Sequence, residues 1–163
     1  MSGSARPASA ASTGDAPTQP VTLAALLRRT AGAFHRYTQE FAQARGLHPT
    51  DVLALVAVLD GDTEGTPVTP GALRTRLHLT SGAVTACIDR LERTGRIRRA
   101  RDADDGRVVR LHHTAAGRAV AGEFLRPLAD RTGAACQGLT PRELTVVARF
   151  LTRMSEELAQ LGH

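Results

Sequence analysis

A mostly α-helical fold with one small β-wing is predicted by three features of this sequence. Apolar residues recur three or four apart in long stretches near both ends, two short helix-forming segments joined by a tight turn lie between them, and a charged hairpin follows those. The first long stretch runs from Val21 to Arg45, with Leu23, Leu26, Leu27, Ala31, Phe34, Thr38, Phe41 and Ala42 on one stripe and Gly46 as its end. Pro49 to Asp60 is apolar nearly all round (Val52, Leu53, Leu55, Val56, Val58, Leu59), which predicts a central buried helix started at Pro49 or Thr50 and stopped by Gly61. Gly61 to Pro67 reads as a loop.

Thr69-Pro70 offers an N-cap followed by proline at the first helical position, where a missing N–H costs nothing, and Ala72, Leu73 and Leu77 make a short helix. A turn through His78-Leu79 leads to a second cap, Thr80, and to a helix from Ser81 to about Thr94 closed by Gly95. Ile97 to Arg101, a polar turn Asp102 to Gly106, and Arg107 to His112 form the hairpin. Thr114 caps a helix carrying Val120, Phe124, Leu128, Thr132 and Ala135, which Pro127 is expected to kink or split. Thr140-Pro141-Arg142-Glu143 has the form of a capping box before a last helix with Leu144, Val147, Phe150, Leu151, Met154 and Leu158. The order predicts a winged helix-turn-helix core flanked by N- and C-terminal helices, whose surplus apolar stripes predict a dimer interface. The expected organisation is a disordered tail over 1–20 and a single domain over 21–163, with dimerisation helices at 21–47 and 114–163 and the winged helix-turn-helix at 48–113.

Composition bounds what such a fold does. With 163 residues, 42% of them apolar, and no long apolar run, the chain suits one modest core, and no membrane helix is expected. Met1 to Pro20 is too poor in apolar residues to order itself and too broken by Ser, Gly and Pro for a secretory signal, so a cytoplasmic chain, nucleoid-associated when on DNA, is expected. Two cysteines, Cys87 and Cys136, suggest neither a disulfide framework nor a zinc site. His112-His113 alternate across a strand, and no histidine pair has ligand spacing on one helix face, so no metal is expected. The motifs of phosphate-binding loops, hydrolase elbows and metalloproteases are missing, which argues against an enzyme and against a cofactor.

The charge is concentrated. Arg74 to Arg110 holds ten arginines against five acids, a net of +5 that equals the net charge of the whole chain. A positive field focused on one 37-residue stretch points to a polyanion, double-stranded DNA in this fold. On the helix from Ser81, the residues Val84, Cys87, Ile88 and Leu91 share a packed face, and Gly82, Ala86, Asp89 and Arg93 lie opposite. The start of the free face is small, so its backbone can approach a groove wall.

Leu79-Thr80-Ser81-Gly82-Ala83-Val84-Thr85, Asp89-Arg90-Leu91-Glu92, Gly95, Arg99, and Asp102 to Arg107 with Thr114 and Gly117 resemble the multiple-antibiotic-resistance regulator (MarR) family. The resemblance implies an obligate homodimer that binds a pseudopalindromic operator, usually as a repressor, and is released by a small molecule. It further implies that the helix from Ser81 to Thr94 is the recognition helix and that Arg107 enters the minor groove from the wing. Four positions depart from the family pattern. Gly106 stands where a second wing-tip arginine is usual, Ala86 where a basic residue is common, Arg96 in place of an apolar residue, and His113 in place of a leucine.

Candidate sites follow from both readings. Ser81, Gly82, Thr85 and Ala86 are placed against base edges, although Ser and Thr also favour helix starts for local reasons. Arg74, Arg76, Arg90, Arg93 and Arg99 are assigned to phosphates. Arg107 is assigned to the minor groove with Asp105 orienting its guanidinium, against the alternative of a solvent-exposed ion pair. His35, Arg36 and His48 fall where the resembling family has its ligand cleft, and would suit an anionic or phenolic effector. Cys87 opens a thiol-redox alternative, in which oxidation on the packed face ejects the recognition helix. A sequence-tolerant architectural DNA-binding protein is the other alternative, permitted by the arginine cluster alone.

Overall fold

The computed structural model describes residues 19–102 and 105–161. The expected tail, apart from its last two residues, and two residues of the hairpin turn, Ala103 and Asp104, lie outside them. Among the described residues, six helices and one hairpin occur in the expected order: α1 (Pro20–Ala44), α2 (Pro49–Thr63), α3 (Pro70–Leu77), α4 (Ser81–Arg93), β1 (Ile97–Arg101), β2 (Val109–His113), α5 (Ala115–Ala135) and α6 (Pro141–Gln160). Contacts divide the chain into two units, 1–40 and 41–163. The described part of the first unit is most of α1, whose Val21, Leu23, Leu26 and Phe34 are exposed.

In the second unit α2 is the central element, because its apolar residues face all sides. Val52, Ala54, Leu55, Ala57 and Val58 are buried, and Leu53, Val56 and Leu59 are half-buried. Around it close Leu73 of α3, Val84, Cys87, Ile88 and Leu91 of α4, Ile97 and Leu111 of the hairpin, and Ala121 and Phe124 of α5. Phe124 also receives the Phe41 ring edge-on at 5.2 Å between centroids, which docks the last turn of α1. Two short approaches fix the packing. A side chain at Gly61 would meet Val68 Cγ2 at 2.6 Å and Thr66 O at 2.9 Å, and one at Gly117 would run into the carbonyl of Arg96.

Gly61 therefore does not stop α2 as expected. The helix continues past it to Thr63, and the glycine lies buried inside it to admit the loop that follows. Pro127 likewise does not split α5, which continues from Ala115 to Ala135 with the proline inside. The caps behave as their chemistry requires: Thr69, Thr80, Thr114 and Thr140 side chains accept the N–H of Ala72, Ala83, Gly117 and Glu143.

β1 and β2 pair antiparallel, with Ile97 opposite His113, Arg99 opposite Leu111 and Arg101 opposite Val109. The second strand starts two residues later than expected, leaving Arg107 in the turn. The Leu111 N–H also donates to Val68 O at 2.8 Å, so the segment before α3 lies against the base of the wing. Among the described residues no helix is long and apolar enough to cross a membrane.

Candidate nucleic-acid interface

α3 ends at His78, whose left-handed backbone (φ 50°) turns the chain sharply toward α4. That turn, with the Thr80 cap, brings the N-terminus of α4 to the surface. Ser81, Gly82, Thr85 and Ala86 are all exposed, and nothing lies within 4 Å of where a Gly82 side chain would stand. The Thr85 hydroxyl donates to Ser81 O at 2.9 Å, which leaves its oxygen lone pairs and methyl group facing outward. Arg74 Nη1 donates to Ser81 Oγ at 3.2 Å, so the serine keeps its own proton for an outside acceptor. The structure thus brings Arg74 to the base-reading candidates across the turn.

The remaining arginines divide by partner. Arg76 Nη1 donates to Ala57 O at 3.3 Å, tying α3 to α2. Arg99 Nη2 meets Asp89 Oδ1 at 2.5 Å and Nη1 meets the Glu92 carboxylate, which locks β1 to α4. Arg90, expected at a phosphate, is committed elsewhere: its Nη2 and Nε reach Asp51 Oδ1 and Oδ2 at 2.6 and 3.1 Å. Asp51 is only 2% exposed, and burial pushes its carboxyl up. Hydrogen bonds from Arg90, Cys87 and the His48 N–H outweigh that and hold it below the ordinary carboxylate value. Arg93 is exposed and, among the described residues, its side chain has no hydrogen bond or ion pair.

At the wing, Asp105 meets Arg107 through the main chain. Its Oδ1 accepts the Arg107 N–H at 3.0 Å, and its own N–H donates to Asp102 Oδ1 at 3.1 Å. Asp105 therefore shapes the turn and does not orient the guanidinium, which is left exposed. The stiffening carboxylate is Asp102, which also pairs with Arg110 Nε, while Arg110 Nη1 donates to Pro67 O at 3.0 Å.

The other expected sites are less convergent. His35 and Arg36 are exposed on α1, His35 beside Gln39 at 3.3 Å. They belong to the first unit and His48 to the second, where it caps α2 at the edge of a cleft of about 160 Å³ with Arg90, Arg93 and Arg96. Cys87 is fully buried beside Thr50 O, and burial, then the Asp51 carboxylate, pushes its thiol up to about 12. A thiol held protonated in this way is a poor target for oxidants, which disfavours the redox alternative.

Three participants escape a reading of the sequence by type and spacing. Asp51 shows in the sequence only as an acid in the first turn of α2, an ordinary helix-start position, and its partner Arg90 is distant in the chain. Asp62 accepts from both His112 and His113, whose alternation along a strand would have placed them on opposite faces. Arg98, exposed on β1, adds a guanidinium to the wing surface.

Known proteins share this arrangement. A model of the MarR family matches residues 45–108, which span α2, the helix-turn-helix, β1 and the turn that follows it. The uncharacterized HTH-type transcriptional regulator YcgE of Bacillus subtilis (strain 168) is 35% identical over 129 residues, covering 77% of this chain and 81% of its own. Among solved structures, a mutant of MepR from a multidrug resistant S. aureus clinical isolate matches with a TM-score of 0.71 and 18% identity. The match covers 86% of this chain and 99% of that one. The S. aureus MepR–DNA complex matches with a TM-score of 0.64 over the same shares, again at 18% identity. Sequence relation to YcgE, the family match across the motif and the shared fold give one conclusion: the chain belongs to the MarR family of transcriptional regulators.

Proposed function

We propose that this chain is a sequence-specific DNA-binding regulator, working as a homodimeric repressor on a pseudopalindromic operator in the cytoplasm and released by a small anionic or phenolic molecule. The observation that carries the reading is the free N-terminal face of α4. Ser81, Gly82, Thr85 and Ala86 are small and exposed at the positive end of a helix dipole, with Arg74 beside them and the exposed Arg93 on the same helix. Ser81 presents a donor and Thr85 an acceptor with a methyl group, a set able to read base edges in the major groove. Arg74, Arg76 and Arg93 supply phosphate contacts, Arg99, held by Asp89 and Glu92, serves by fixing the wing to α4, and the exposed guanidinium of Arg107 enters the minor groove. Arg90 serves by holding α4 on α2. MepR, a protein of the same fold, has been solved in complex with DNA, which supports the reading. His35, Arg36 and His48 are the effector candidates.

Selection of bound fragments from the source genome, followed by competition with random duplex, tests this directly. A regulator prefers one palindromic site by about three orders of magnitude or more. Equal affinity for random DNA would support the architectural alternative instead. Small molecules that lower occupancy of the selected site then identify the effector class.

A further inference from the structure

Asp62, near the C-terminal end of α2, gathers both histidines at the end of β2. His112 Nδ1 lies 2.8 Å from Oδ1, His113 Nδ1 contacts Oδ2, and the His113 main-chain N–H donates to Oδ2 at 3.0 Å. The carboxylate is 13% exposed and the His113 ring 5%, with its Nε2 buried and unpartnered. A carboxylate accepts hydrogen bonds and donates none, so both rings carry a proton on Nδ1. Among the described residues no group of acids, histidines and cysteines is arranged to hold a metal ion, so the cluster is a hydrogen-bonded one.

We propose that Asp62, through His112 and His113, is the positioning residue of the wing: a clamp that sets the angle at which the hairpin leaves the core. It rests on the reading that Arg107 touches DNA. Two imidazole rings and one main-chain N–H thus direct three bonds at one carboxylate at the root of the wing, and the His113 ring bond is the one that leucine, usual in the family pattern at this position, lacks. The contacts of Leu111 with Val68 and of Arg110 with Pro67 hold the same root, and none of these lies at the tip. From His112 to Arg107 the hairpin extends about 16 Å at roughly 3.3 Å per residue, so a rotation of about 10° at the root moves the guanidinium by about 3 Å. That displacement is enough to break a groove contact. With Gly106 beside it in place of a second arginine, Arg107 depends on the angle being right.

The test uses the full chain and its selected operator. In Asp62→Asn the amide N–H₂ faces donors, and in His113→Leu the ring bond, one of the three, is removed while an apolar residue fills the buried place of the ring. Without DNA, amide exchange at Leu111, whose N–H donates to Val68 O at the root, is expected to rise at least tenfold in both variants; unchanged exchange overturns the clamp whatever the wing does on DNA. With DNA, Asp62→Asn is expected to weaken operator binding about tenfold and to lower the salt slope. The double variant Asp62→Asn/Arg107→Ala is expected to bind no worse than Arg107→Ala alone. Losses that simply add would overturn the link between clamp and wing. If Arg107→Ala itself leaves affinity and salt slope unchanged, the assignment of Arg107 to DNA fails while the exchange result still judges the clamp.

Discussion

Asp51 and Arg90 show how much one buried charge constrains its neighbours. A carboxylate at 2% exposure survives only with compensation, and here Arg90 supplies two hydrogen bonds while the His48 N–H supplies another. Removing one partner leaves the other charge stranded, so Arg90→Met is expected to cost about 2–4 kcal/mol in urea unfolding, below the full buried-pair range because Arg90 is about a third exposed. The sign with pH follows from the lowered carboxyl of Asp51. A folded value below the ordinary 3.8 adds stability that is fully present above 3.8 and is lost as pH falls through the folded value. Asp51→Asn is therefore expected to flatten the acid limb of stability against pH below about 4. An acid limb identical to that of the wild type would remove the pair from the account. Helical projection assigns Arg90 to DNA because it shows which face a residue occupies, and the partner that claims it is 39 residues away. Cys87 falls on the packed face by projection and in the fold alike, since four buried residues at helical spacing define that face without any distant information.

Elements are legible in the sequence where their determinants are local. Thr69-Pro70, Thr80, Thr114 and Thr140-Pro141 announce helix starts because the cap bonds only to residues two or three ahead. The helix end expected at Gly61 fails because the reason for the glycine is distant. It is required by Val68 and Thr66 packing over it, and not by a turn at its own position. Gly117 carries the same kind of constraint in the first turn of α5, against the Arg96 carbonyl, where the Thr114 N–H and hydroxyl also converge. A methyl group there must push α5 off the start of β1. Gly117→Ala is expected to destabilise by about 1–3 kcal/mol or more, although alanine favours helix elsewhere. A thermal melt settles the point: a melting temperature equal to or above that of the wild type would mean that α5 slides aside without loss.

Across the whole molecule, charge and exposed apolar surface divide the labour. The arginine-rich stretch lies in the helix-turn-helix and wing, while α6 keeps Leu144, Val146, Val147, Phe150, Leu151 and Leu158 between 37% and 49% exposed. Six such side chains on a helix with no buried residue represent surface that a single chain leaves in water. Covering each is worth on the order of 1 kcal/mol or more, a sum that suits a second copy of the chain. In the proposed homodimer, two half-sites at fixed spacing would multiply the discrimination of one short recognition helix. Introducing charge into the stripe by Val147→Glu with Leu151→Glu is expected to give a monomer in analytical ultracentrifugation, with the helical circular dichroism of α2 to α5 retained. Operator affinity is expected to fall by at least a hundredfold, with the salt slope roughly halved because half the phosphate contacts are lost. A variant that remains dimeric would place the interface elsewhere. A monomer that keeps full operator affinity would show that pairing is not needed for recognition.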